Sequence, residues 1–162
     1  MMEGIISLYS TNYKRDRIEM MKKKAFKGRS RKMIADLRDS SPLRKDFLAN
    51  NDSVIEKIVK DYFVMLKEKV WNSLPNDSYL EKTVGIQALF QLLKESLKRN
   101  EVLTEAFYSK LKKIDFSDNY FQASGIGKTR IKKVLFVLAG FLTYEELRDS
   151  TEKEDIKRII GD

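Results

Sequence analysis

The two residue types that carry most acid–base, nucleophilic and metal chemistry are missing: the chain has no His and no Cys. Without His it lacks the commonest metal ligand and general base. Without Cys it has neither thiolate metal sites nor a disulfide framework. Carboxylates, hydroxyls and cations remain. Close carboxylates include Glu145 with Glu146, and Asp115 with Asp118. Paired carboxylates can hold metal or move protons. These, however, fall in turn and cap positions, where acids are common for local reasons. No catalytic residue, metal or other cofactor is expected. The lone Trp71 is read as a lid on the core and not as a stacking platform, and the seven tyrosines show no platform spacing.

The nearest approach to an anion site is SGIGKTRIKK, residues 124–133. Ser124, Gly125 and Gly127 make a small-residue turn before a helix. The free N–H groups and dipole at such a helix start favour a phosphate. Lys128, Arg130, Lys132 and Lys133 add charge. The segment is not a P-loop, because Gln122 stands where the pattern needs Gly and no strand precedes it. It also departs from the Gly-x-Gly hairpin of helix-hairpin-helix modules, since residues 115–123 make a poor helix. Two readings stay open: contact with a phosphate backbone, or a glycine turn that lets helices pack closely.

Positive charge is concentrated elsewhere. Residues 14–32 hold ten cations (Lys14, Arg15, Arg17, Lys22, Lys23, Lys24, Lys27, Arg29, Arg31 and Lys32) against Asp16 and Glu19. That surplus of eight equals the net charge of the whole chain, +8. A localised excess points to a polyanion, nucleic acid being the commonest, bound through phosphate neutralisation. The alternative is a solvated helix face that serves solubility.

The elements that must position these groups read as helices throughout. With 162 residues the chain can bury a core without staples, and only two Pro and seven Gly interrupt it. Asn12 caps a helix over residues 13–26 whose narrow apolar stripe is Ile18, Met21 and Ala25. Ser30 opens a second helix carrying Met33, Ile34 and Leu37. Ser41 caps a short one with Leu43, Phe47 and Leu48. The long element begins at Asp52 or Ser53. Val54, Ile55, Ile58, Val59, Tyr62, Phe63, Leu66 and Val70 form a wide helical stripe over about five turns, a period that no strand has. Pro75-Asn76-Asp77 is turn chemistry. Ile86, Leu89, Phe90, Leu93 and Leu97 make a further stripe, ended by Asn100. A helix over residues 102–114, a polar–aromatic loop at 115–123, a helix from Ser124 to about Leu142 and a last helix at 152–160 complete the chain. Residues 134–142 are apolar almost all round, which predicts a central helix.

The expectation is an all-α fold: a single-domain irregular helical bundle of about seven or eight helices. Residues 1–50 supply basic helices that pack on a core formed by residues 51–162. No apolar run reaches the roughly 18 residues of a membrane span, and residues 1–10 lack signal-peptide character. A soluble, cytoplasmic protein with no membrane partner is expected.

One segment carries a resemblance. Ile58-Val59-x-Asp61-Tyr62-Phe63, then Trp71-Asn72, then Tyr79-Leu80-x-Lys82-Thr83-x-Gly85-Ile86-x-Ala88-Leu89-Phe90 resembles the C-terminal region of DGQHR-domain proteins (DndB-like), which are associated with bacterial DNA phosphorothioation. The stretch from Ser124-Gly125 to Arg130-Ile131 is similar to the family's small-residue turn and basic helix start. The resemblance spans roughly residues 53–142. The namesake Asp-Gly-Gln-His-Arg motif is absent, so no family catalytic residue is carried over. The resemblance implies a role linked to DNA modification or its regulation, with motif-centred activity outside this chain. The functional expectation is therefore a non-enzymatic domain contacting DNA through residues 14–32 and 128–133. The alternative is an interaction module docking to a partner subunit or to a missing N-terminal region.

Overall fold

The computed structural model describes every residue except 28–30, 36, 148 and 162, and gives the side chains of residues 23–27 no placement. Among the described residues the fold is all-α, with eight α-helices and no strand. They are α1 (Met2–Tyr9), α2 (Tyr13–Lys27), α3 (Arg44–Leu48), α4 (Asp52–Lys69), α5 (Thr83–Arg99), α6 (Glu105–Leu111), α7 (Gly125–Leu138) and α8 (Ser150–Ile160). Two 3₁₀ turns, Arg31–Ile34 and Trp71–Ser73, lie between them. Among the described residues no helix is long and apolar enough to cross a membrane. The chain divides into two compact units, Met2–Tyr62 and Phe63–Asp162 (the latter with Met1), and the boundary falls within α4.

In Met2–Tyr62 the core is small. Leu8, Ile34, Leu43, Phe47 and Ile55 are buried, and the Tyr9 and Phe47 rings stack with centroids 4.4 Å apart. α1 packs on α3, and α2 on the 3₁₀ turn Arg31–Ile34. That turn replaces the helix expected to open at Ser30, a residue outside the described set. The start of α3 also differs from expectation. Its N-cap is Leu43, which makes no side-chain capping bond, while Ser41 contributes only its carbonyl, to the Arg44 N–H at 3.1 Å.

Phe63–Asp162 is built on α5 against α7. Gly85, Ala88, Leu89, Leu92, Leu93 and Ser96 form one buried stripe on α5; Gly127, Ile131, Val134 and Leu135 form its counterpart on α7. Fully burying one such Leu or Ile stabilises by about 1.5–3 kcal/mol relative to leaving it exposed. Two glycines allow the chain to approach these helices closely. A Cβ on Gly85 would stand 2.2 Å from the Leu80 carbonyl oxygen, and one on Gly127 would stand 1.8 Å from that of Gln122. Asn100 ends α5 in the left-handed conformation, φ 55°.

Other differences have plain causes. The helix expected over residues 102–114 is only α6, because Thr104 caps it through the Phe107 N–H; Val102 is left 89% exposed. α7 ends at Leu138, and Phe136, Val137 and Leu138 are half-buried. A positive φ at Gly140 then turns the chain, so residues 134–142 are not a central, wholly buried helix. The polar–aromatic loop at 115–123 does core work instead: Phe116 and Phe121 are fully buried with ring centroids 5.0 Å apart. Trp71 is half-buried, its ring 5.8 Å from Phe63.

Candidate nucleic-acid interface

α2 begins as its sequence predicts. The Asn12 side chain accepts the Arg15 N–H at 3.0 Å, and the Asn12 carbonyl accepts that of Asp16 at 3.1 Å. Over residues 13–22, the face that α2 turns inward is not its apolar one. Asp16 is 3% exposed. Its carboxylate accepts the Ser10 hydroxyl at 2.8 Å and a bidentate pair from Arg44, one arm at 3.0 Å. Arg44 is itself buried. A buried carboxylate is tolerable only when paired and hydrogen-bonded in this way.

The consequence is a rotation of the helix about its axis. Ile18 and Met21, expected on the inward stripe, are 52% and 63% exposed. Tyr13 is exposed as well, as are Lys14, Arg15, Arg17 and Lys22. Lys22 pairs with Glu19 at 2.9 Å, whereas Lys14, Arg15 and Arg17 form no ion pair among the described residues. Of the two acids that dilute the basic segment, one is therefore internal and the other is taken by a single lysine. Lys32 is exposed, but Arg31 is structural. Its guanidinium sits 4.3 Å above the Phe47 ring and is held by both oxygens of Asp52. The side chains of Lys23, Lys24 and Lys27, and the whole of Arg29, lie outside the described residues.

The second basic segment is largely committed to its own unit. Ser124 caps α7 by accepting the Gly127 N–H at 3.1 Å, and Gly127 is buried against Gln122. That amide is thus spent on the cap and is not offered to a phosphate. Arg130 donates to the Tyr120 carbonyl at 3.0 Å and lies 4.6 Å over the Tyr120 ring. Lys133 grips both oxygens of Glu152 at 2.7 and 2.5 Å. Lys132 lies 5.0 Å over the Phe136 ring. Only Lys128 of this group has no ion pair or ring contact among the described residues. A cavity of about 560 Å³ opens beside Gly125, and Asp149, Glu152 and Asp155 line it together with Arg130. Three carboxylates in its wall oppose a phosphate.

The Tyr120 hydroxyl is buried there without a partner among the described residues. Burial, and then the Glu152 charge, push it up to about 12. A second concavity, about 490 Å³, lies in Met2–Tyr62 between Ile5, Tyr9, Phe47, Ile55 and Val59, with Glu56 and Lys60 among the residues that line it.

Residues 14–32 and 128–133 belong to different units. Sequence reasoning missed the Asp16–Arg44 pair because nothing local signals it: the partners are 28 residues apart. The outward turn of Ile18 and Met21 follows from that pair and was equally invisible. No protein-family model, no curated protein and no solved structure matches this chain.

Proposed function

We propose that this chain is a non-enzymatic helical module that contacts DNA without sequence preference through the exposed face of α2, in the DNA-modification or regulatory setting that the DGQHR-like resemblance implies. The observation that carries this reading is the internal burial of Asp16 against Arg44. It removes the acid from the basic surface and holds Lys14, Arg15 and Arg17 toward solvent. Cations held this way neutralise phosphates and release counterions, which gives affinity that falls steeply with salt and little base readout. Segment 128–133 plays the smaller part, through Lys128.

The test is fluorescence anisotropy with a labelled random duplex of about 20 base pairs, titrated across salt. Each phosphate contact contributes about 0.9 to the log–log salt slope. The variant Lys14→Glu/Arg15→Glu/Arg17→Glu is expected to flatten the slope by about 2.7 and to weaken binding at low salt. A wild-type chain that fails to bind at low salt refutes the reading. So does a triple variant that binds as tightly as wild type.

A further inference from the structure

We infer that the nucleic acid α2 prefers is single-stranded, an inference that rests on the reading of α2 as a DNA-contacting helix. Side chains four apart stand one above another on a helix, and on α2 this produces two neighbouring ridges. One runs Lys14–Ile18–Lys22, cation, apolar, cation. The other runs Tyr13–Arg17–Met21, apolar, cation, apolar. All six side chains are exposed. The cations of the first ridge span about 12 Å along the axis, with Ile18 between them. The surface is a checkerboard, not a uniform basic patch.

The two forms of DNA meet such a surface differently. A duplex shows its flanks as phosphate and sugar, with base faces hidden in the stack. Pressing Ile18 and Met21 against that surface strips water from phosphates and returns no apolar contact. A single strand presents phosphates and unstacked base faces side by side. Its bases can lie on Tyr13, Ile18 and Met21 while Lys14 and Arg17 take the phosphates, joined by Lys22 when it exchanges Glu19 for one. Single-strand sites combine charge and stacking surface in this manner. Counterion release alone favours the duplex, at about 0.9 per contact against about 0.7 for single strands. A preference for the single strand therefore isolates the non-ionic part of the contact.

The experiment uses the full chain with a fluorescein-labelled 20-mer of oligothymidine and a random duplex of the same length, at matched salt. At least about fivefold tighter binding to the single strand is expected, the low end of what one stacked base contributes. Tyr13→Ser/Ile18→Ser/Met21→Ser should abolish the preference and leave the salt slope unchanged. All three positions are exposed, so folding, checked by far-UV circular dichroism, is expected to survive. Equal or tighter duplex binding overturns the inference while leaving the DNA reading intact, as does a serine variant that keeps the preference. Failure to bind either form overturns the DNA reading and the inference with it. Tighter binding to phosphatidylserine vesicles than to either nucleic acid also overturns both, and assigns the checkerboard to a lipid surface.

Discussion

Replacing Arg44 with Met tests the feature on which the orientation of α2 rests. The substitution keeps an unbranched apolar stem but removes the guanidinium, and strands Asp16, only 3% exposed, with the Ser10 hydroxyl as its remaining side-chain donor among the described residues. Removing one partner of a buried ion pair costs about 3–5 kcal/mol, because the other charge stays buried without compensation. A whole small domain has only about 5–15 kcal/mol of stability. Met2–Tyr62 is a unit of about 60 residues, for which each kcal/mol shifts the melting point by about 4–8 °C. Arg44→Met should therefore lower the transition of this unit by about 12 °C or more. The double variant Asp16→Leu/Arg44→Met should recover much of the loss, since the desolvation cost disappears with both charges. Circular dichroism at 222 nm, with heat and urea, follows the helices. Fluorescence of Trp71, the single Trp, reports the other unit. A single variant within about 0.5 kcal/mol of wild type refutes the reasoning, and so does a double variant no more stable than the single one.

Three further outcomes follow from particular contacts. Gly127→Ala places a Cβ 1.8 Å from a backbone oxygen. It should destabilise by about 1–3 kcal/mol, outweighing the helix preference of Ala; an unchanged or raised urea midpoint contradicts this. Tyr120→Phe removes a buried hydroxyl that has no partner among the described residues, so stability at neutral pH should hold or rise. The Tyr120 hydroxyl sits at about 12 in the fold against 10.0 ordinarily, so its contribution is intact below pH 10 and is lost as pH rises toward 12. That alkaline component should vanish in the Phe variant, as read by denaturation at a series of pH values. At Asp39, burial raises the carboxyl, but hydrogen bonds from Ser41 and Thr11 outweigh it and bring the group down to about 2. Its folded value lies below its unfolded one, so its stabilisation is present above about pH 3.8 and is lost as pH falls toward 2. Asp39→Asn should remove that acid-side component; an unaltered acid transition contradicts the assignment.

The sequence by itself determined the elements with long, dense apolar stripes. α4 and α5 each repeat their pattern over several turns, so no other period fits, and Asn12 and Asn100 mark ends by chemistry confined to one turn. The all-α character follows from the same local physics. Only the tertiary structure decided which way the sparse helices face. On α2, a narrow stripe of Ile18, Met21 and Ala25 is too weak to choose an orientation, and a buried charge pair made across 28 residues outweighs it. That choice sends Asp16 inward and leaves Ile18 and Met21 among cations. The same holds for the Gly125–Gly127 turn. Its sequence is compatible with an anion site, but Ser124 takes the Gly127 amide, and α8 brings Glu152 onto Lys133. Charges and glycines announce what they can do; long-range contacts decide which of them remain free to do it.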